Sequence, residues 1–384
     1  MKKAATIIVS GMIATDPFQG GATWAVLQYV LGLRALGYRV YFVEPVPEKA
    51  LRPPGSSLES SENAAYFHQV MEEFNLLDSS ALLLAGTRET VGLSYEQLQG
   101  VARRTEVLLN ISGMLQDETL TGAIPVRVYL DLDPGFNQLW SVVQGIDMRF
   151  AGHTHFVTIG LAIGEPSCPV PACGYSWLKT LQPVVLEYWP QTEPIFNGAL
   201  TTIGNWRAYG SIEHQGVLYG QKAHSLRPLF RLPQVTGEEF KLAMAIHPGE
   251  TSDLAALAGG GWNLVNPAEV ADTPANYQQF IRSSKAEFGI AKSGYVAAQC
   301  GWFSDRSVCY LASGRPVLAQ DTGFSPYLPT GEGLFAFRTI EDVAQAIAAL
   351  RADYPKHVRR ARAIAENFFD SNKVLPRLLE QVGI

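Results

Sequence analysis

ATIIVSGMIATDPFQGGATWAVLQYVLGLRALGYRVYFV, residues Ala5–Val43, decides the fold. Ala5–Ser10 is a short apolar run rich in β-branched residues, which marks a buried strand. Gly11 to Gly21 is a glycine-bearing loop. From Ala22 to Leu36 the residues Val26, Tyr29, Val30, Leu33 and Leu36 recur at helical spacing, and Gly37 stands where a helix closes on a left-handed residue. Tyr38–Val43 is again a buried strand. Strand, loop, helix and strand make a right-handed β-α-β unit, the beginning of a parallel sheet covered by helices.

The same alternation continues outward. Pro45–Ser61 reads as a loop and Glu62–Asn75 as a helix, followed by strands at Val107–Ile111 and Val126–Leu132. Leu186–Gly198, with Trp189, Pro190 and Pro194, has the composition of a connection between domains. A second alternating series follows, with strands expected at Ala199–Ile203, Lys241–Ile246, Trp262–Val265, Ala286–Ala291 and Pro316–Ala319. The expectation is an α/β chain of two doubly wound, Rossmann-like halves. Residues 1–190 form the first and 198–364 the second, with the apolar helical pattern of 365–384 packing back on the first. Ligands of such sheets bind at the carboxyl ends of the strands, so the cleft between the halves is the expected site.

Composition narrows the function. The chain has 384 residues, too many for one ordinary core; it is 47% hydrophobic and 17% charged, which excludes a disordered chain. The net charge of -6 and the lack of a basic run give no footprint for a nucleic-acid backbone. Four cysteines make no disulfide framework, so reduced thiols in a cytoplasm are expected. Met1-Lys2-Lys3 before Ala4–Ala14 mimics a signal peptide, but a small-x-small cleavage site is missing and a glycine loop follows, so the segment reads as the first strand. No run of about 18 apolar residues offers a membrane span.

Gly20-Gly21-Ala22, followed by Gly37-Tyr38-Arg39-Val40, resembles the start of GT-B glycosyltransferases of the family 4 type. Leu311-Ala312-Ser313-Gly314-Arg315-Pro316-Val317-Leu318-Ala319-Gln320-Asp321-Thr322-Gly323 resembles the donor segment of those enzymes. Aligned on Gly314, the two positions where that family carries carboxylates fall on Gly301 and Cys309. Cys300-Gly301-Trp302-Phe303-Ser304-Asp305-Arg306-Ser307 partly resembles the donor signature of family 1 glycosyltransferases instead. The combination looks like a divergent bacterial branch. It implies sugar transfer from a nucleotide diphosphate sugar, held by the second half, to a small-molecule or glycan acceptor held by the first, with no cofactor. A nucleotide-sugar epimerase and a non-catalytic nucleotide-sugar-binding protein are the alternatives on the same fold.

The residues of the site are expected as follows. Ser304 or Asp305 caps a helix whose free amides receive a diphosphate, with Arg306 adding charge and Ser307 a hydroxyl. Thr201-Thr202-Ile203-Gly204-Asn205-Trp206-Arg207 resembles the family's strand end that supplies an arginine, and Gly220-Gln221-Lys222 offers the lysine. By that resemblance Arg207 and Lys222 neutralise the leaving diphosphate. Trp262 and Val265 stand at the expected nucleobase platform, beside His247; a core tryptophan is the competing reading. Gly20, Gly21, Gln320, Asp321 and Thr322 are expected at the donor sugar, although Asp321 also fits a simple turn. Asp131, Asp133 and His153 are expected on the acceptor side, with the Asp131-Leu132-Asp133 pair weighed as a metal clamp and set aside. Zinc at His153, His155, Cys168 and Cys173 fits no standard spacing. Asp16 is the candidate general base, against a turn role before Pro17.

Overall fold

The computed structural model describes residues 5–384, so the stretch Met1–Ala4 of the apparent leader lies outside the described residues. Thr6–Ser10 is strand β1, entirely buried, and Gly20–Ala35 is the helix after it. Gly37, at φ +87°, ends that helix by donating its amide to the Arg34 carbonyl, and Arg39–Val46 follows as β2. The periodic reading of Ala5–Val43 thus gives the observed β-α-β unit.

The first sheet adds β3 (Ser80–Leu84), β4 (Thr90–Gly92), β5 (Val107–Ile111), β6 (Val126–Asp131), β7 (His155–Thr158) and β8 (Trp177–Lys179). Its order is β4-β3-β2-β1-β5-β6-β7-β8, parallel except where β3 meets the edge strand β4. The second sheet is built from β9 (Leu200–Asn205), β12 (Phe240–Ala245), β13 (Asn263–Val265), β14 (Ala286–Gly289), β15 (Val317–Gln320) and β16 (Leu334–Phe337). Its order is β13-β12-β9-β14-β15-β16, all parallel, and the short hairpin β10 (Ile212–His214) and β11 (Val217–Tyr219) stands apart from it. Both sheets reverse direction of growth at their first strand, and at that point the carboxyl ends open a crevice.

Two seams join the halves. On one, helix Gly20–Ala35 meets helix Pro274–Arg282: the Gly20 amide donates to the Ala271 carbonyl at 2.8 Å, and the Trp24 indole donates to the Pro274 carbonyl at 2.9 Å. A Cβ on Gly20 would lie 2.2 Å from the Thr273 carbonyl oxygen, so only glycine fits there. On the other, Phe136 and Leu139 of the first half pack with Ile212, Tyr219 and Tyr295 of the second. The chain then returns. Val184 pairs with the backbone around Asp370, and helix Ser371–Gln381 lies against the first helix at Gly32, where a Cβ would come within 2.6 Å of Leu375. No described helix is long and apolar enough to cross a membrane.

Candidate functional site

A cavity of about 620 Å³ lies between the carboxyl ends of the two sheets. The first half lines it with Phe18, Gln19, Gly21, Ser112 and Asp133; the second half supplies Lys222, Lys292, Tyr295, Asp305 and Arg306.

Lys222 opens the short helix Lys222–Leu226 and leans over the end of β9, where Gly204 makes room: a Cβ there would stand 2.6 Å from the ammonium nitrogen. Among the described residues Lys222 makes no hydrogen bond or ion pair. Burial, with the neighbouring Arg306 charge adding to it, brings its pKa down to about 7. Arg306, in helix Asp305–Ala312, is fixed from behind: Nε meets Glu287 Oε1 at 2.6 Å and a terminal nitrogen donates to the Ile203 carbonyl at 3.0 Å. Glu287 is fully buried at β14, so this pair neutralises itself inside the second sheet while one side of the guanidinium still faces the cavity. Ser304 precedes the helix and lines the cavity without a side-chain capping bond. Asp305, at the first helical position, also lines it.

Across the cavity, Asp133 collects three donors from the second half. The hydroxyls of Tyr209 and Tyr295 donate to its two oxygens, and Lys292 Nζ stands 3.6 Å away. Lys292 itself lies 3.7 Å from the centre of the Tyr209 ring, a cation–π contact. Burial holds its pKa below the usual lysine range. Trp302 stacks on Tyr295 with centroids 4.1 Å apart and planes 6° from parallel, extending an aromatic wall along the cavity.

The structure therefore brings together Lys222, Ser304, Asp305, Arg306, Gly21 and Asp133 of the expected residues, and it moves the others elsewhere. Arg207 is on the rim, paired with Glu250 and outside the lining. Ser307 is buried beside Glu287 rather than in the cavity. Trp262 belongs to the core: its indole donates to the Phe230 carbonyl at 2.8 Å and its ring packs 5.0 Å from Phe240. Val265 packs inward against a different apolar cluster from Trp262, and the next residues, Asn266, Pro267 and Ala268, line the cavity instead. His247 is exposed and accepts its own loop's Gly249 amide. Gly20 serves the packing seam, as described above.

Asp321 forms the turn: it accepts the Gly323 amide and the Ser325 hydroxyl, both at 3.0 Å, and pairs with Arg338 at 2.8 Å. Gln320 accepts the Ala291 amide, and the Thr322 hydroxyl donates to the Trp302 carbonyl. Neither reaches the main cavity. Asp131 and Asp133 separate. Asp131 is fully buried and bonded to Asn137, Gln138 and Thr158 at 2.6, 2.8 and 2.9 Å, with burial raising its pKa to about 6. The two carboxylates thus face different surroundings and do not form a clamp. His153 bridges Asn110 and the Phe150 carbonyl within the first half. Asp16 pairs with Arg52 at 2.6 Å on the surface and is not part of the lining.

Sequence reasoning missed three groups. Glu44, fully buried at the end of β2, accepts the amides of Ile13, Ala14 and Thr15 at 2.6–2.9 Å and so shapes the loop that ends at Phe18 and Gln19. Its signal was a single charge inside the apolar run of Val40–Val46. Lys292 was signalled as a lone cation just past an expected strand end, whereas Lys222 was named through the family resemblance. Tyr295 carries no signal that separates it from a core aromatic.

No family sequence model matches the chain, and neither does any curated protein sequence. Solved structures do. HepE of Anabaena, solved with UDP and glucose, superposes with a TM-score of 0.60 at 11% identity over 98% of this chain and 99% of HepE. An alpha-glucosyltransferase, solved with UDP and a 13-mer DNA containing an HMU base, gives 0.61 at 11% identity over the whole of both chains. AviGT4, a glycosyltransferase of avilamycin A biosynthesis, gives 0.52 at 14% identity over 98% of this chain and 97% of its own. At such identities the likeness speaks of architecture: the chain has the α/β GT-B fold of these glycosyltransferases, with its largely parallel sheets and covering helices.

Proposed function

We propose that the chain is a glycosyltransferase, moving a sugar from a nucleotide diphosphate sugar to a hydroxyl of a small-molecule or glycan acceptor, with no metal required and in the cytoplasm. The observation that carries the reading is Lys222, an ammonium without a partner among the described residues, standing beside the anchored guanidinium of Arg306 in a cavity at the carboxyl ends of both sheets. In the reaction the bond from the sugar C1 to the β-phosphate oxygen breaks, the acceptor oxygen bonds to C1, and the acceptor proton leaves. The departing diphosphate gains negative charge, so cations already aimed at it stabilise the transition state more than the bound donor. The segments 198–364 and 1–190 are read as donor and acceptor units, and the mixed family 4 and family 1 features as those of a divergent bacterial branch. The UDP and UDP-glucose bound to HepE support a nucleotide-sugar donor. The test is incubation with a panel of nucleotide sugars and hydroxylated acceptors. Sugar on an acceptor supports the reading; an isomerised donor would instead make the protein an epimerase, and binding without turnover a carrier.

A further inference from the structure

A second cavity, of about 360 Å³, lies in the first half at the carboxyl ends of β2, β3 and β5. Pro45, Pro47, Ala85, Met114 and Leu115 form its apolar wall, and Arg149 is its cation. Two loops connect it to the cleft between the sheets. The loop after β1 lines this cavity with Thr15 and the cleft with Phe18, and the loop after β5 lines them with Met114 and Ser112. Both loops are held in place: Glu44 accepts the amides of Ile13, Ala14 and Thr15, and Asn110 brackets Leu115, accepting its amide at 2.9 Å and donating to its carbonyl at 3.0 Å. Arg149 is fixed as well. The ring of Phe150 next to it lies 4.9 Å from that of Tyr129 on β6, and Gly113 makes room for its backbone, since a Cβ there would stand 2.9 Å from the Arg149 Cβ. Phe18, Ser112 and Arg149 all hold left-handed backbone, with φ of 65°, 52° and 59°, which residues with a side chain keep only where their surroundings impose it.

The two charges of this cavity differ in what they leave open. Asp117 is spent within the fold: it accepts the Tyr95 hydroxyl at 2.7 Å and the amides of Thr119 and Leu120 at 2.9 and 3.3 Å. Of Arg149 only the backbone amide is engaged, by Asp147 at 2.8 Å; its guanidinium forms no hydrogen bond or ion pair among the described residues. A guanidinium only donates, in a fork that matches the paired oxygens of a carboxylate or phosphate. The proline, alanine, methionine and leucine around it give the ring hydroxyls of a glycan little to bond and favour an apolar body. We infer that the acceptor is an apolar acid, a hydroxylated aromatic or hydrocarbon body bearing a carboxylate or phosphate. Its anion lies on Arg149, its body against Pro45, Pro47 and Met114, and its hydroxyl extends past Ser112 into the cleft. This rests on the glycosyltransferase reading above, and it narrows the acceptor from small molecule or glycan to a class that carries its own negative charge.

Matched acids and amides test it. The full chain is titrated, with binding followed on the ligand by NMR, against p-hydroxyphenylacetate, p-hydroxybenzylphosphonate and ω-hydroxylaurate, against the amides of the two carboxylates, and against maltose. Wild type should bind at least one acid about tenfold more tightly than the uncharged compound of the same body, the difference made by one charge-assisted hydrogen bond, and more tightly than maltose. In Arg149→Asn, where asparagine accepts the left-handed backbone, that preference should fall to about twofold or less, and Arg149→Lys should restore part of it. Ala85→Trp, which fills the cavity from an exposed position, should weaken the same acid about tenfold. No preference for any acid in wild type, a preference that survives Arg149→Asn, or binding untouched by Ala85→Trp would overturn the assignment. Transfer assays with the nucleotide-sugar panel separate this failure from that of the parent reading. Sugar transferred to maltose and to none of the acids would overturn the acid acceptor alone. Acids bound through Arg149, with sugar transferred to no acceptor, would overturn the glycosyltransferase reading and the acceptor role together.

Discussion

The two halves present similar groups at the ends of their strands and use them in opposite ways. In the first half the carboxylates are satisfied internally: Glu44 by three loop amides, Asp131 by Asn137, Gln138 and Thr158, and Asp16 by Arg52. In the second half Glu287 neutralises Arg306 and Asp305 meets the amides at the start of its own helix, yet Lys222 stays without a partner among the described residues at the cavity wall. Charges satisfied within one half shape its loops, and charges left open mark where a ligand's own charges belong. Asp133 is the exception that joins them, a first-half carboxylate whose donors all come from the second half.

This contrast can be broken at several points. The largest effect is expected at Glu44: Glu44→Ala strands three buried amides and should lower stability by about 3–5 kcal/mol, read from denaturant unfolding followed by fluorescence. An unchanged midpoint would mean that the loop holds its shape without the carboxylate. Gly20→Ala places a methyl against the Thr273 carbonyl and should cost about 2–3 kcal/mol in the same measurement, since the two helices must separate. A neutral result there would reopen Gly20 as a ligand contact.

Lys222→Ala should weaken binding of UDP about 10–100-fold with the melting temperature unchanged or raised, because the change removes a desolvated ammonium. The pH dependence sharpens this. With a pKa of about 7 in the empty cavity, Lys222 is charged below that pH and loses its proton above it. Affinity for the diphosphate should therefore hold below pH 7 and decline above it, by at most about tenfold per pH unit for a single proton. Lys222→Arg should flatten the decline, and a flat wild-type profile would remove Lys222 from the diphosphate. The smallest effects belong to the surface pairs: Asp16→Ala should cost less than about 0.5 kcal/mol and leave turnover intact. A large loss of turnover would restore Asp16 as a catalytic base.

Much of the fold was legible because strand and helix periods differ and Gly37 punctuates them. Val107–Ile111 falls where the pattern puts it, and the expected strands of the second sheet shift by only one or two residues. Ser80–Leu84, an apolar run of the same length, was not read as a strand. In the site, Arg306 was readable as a cation at a helix start, and Lys222 through the family resemblance. Trp262 was not, because the same ring serves a base platform or a core, and only the Phe240 and Phe288 neighbours decide it. Asp321 was equally ambiguous until Arg338, distant in sequence, was seen to complete its turn. Burial and long-range partners are set by tertiary packing, which local pattern does not encode.

The central claim is that the donor's diphosphate lies at the end of the second sheet, against Lys222 and Arg306. A crystal structure of the protein with UDP tests it most directly. The account predicts phosphate oxygens within hydrogen-bonding distance of the Lys222 ammonium, on the second-half side of the cavity. Diphosphate seated at the first-half strand ends, or elsewhere with Lys222 left unpartnered, would contradict it.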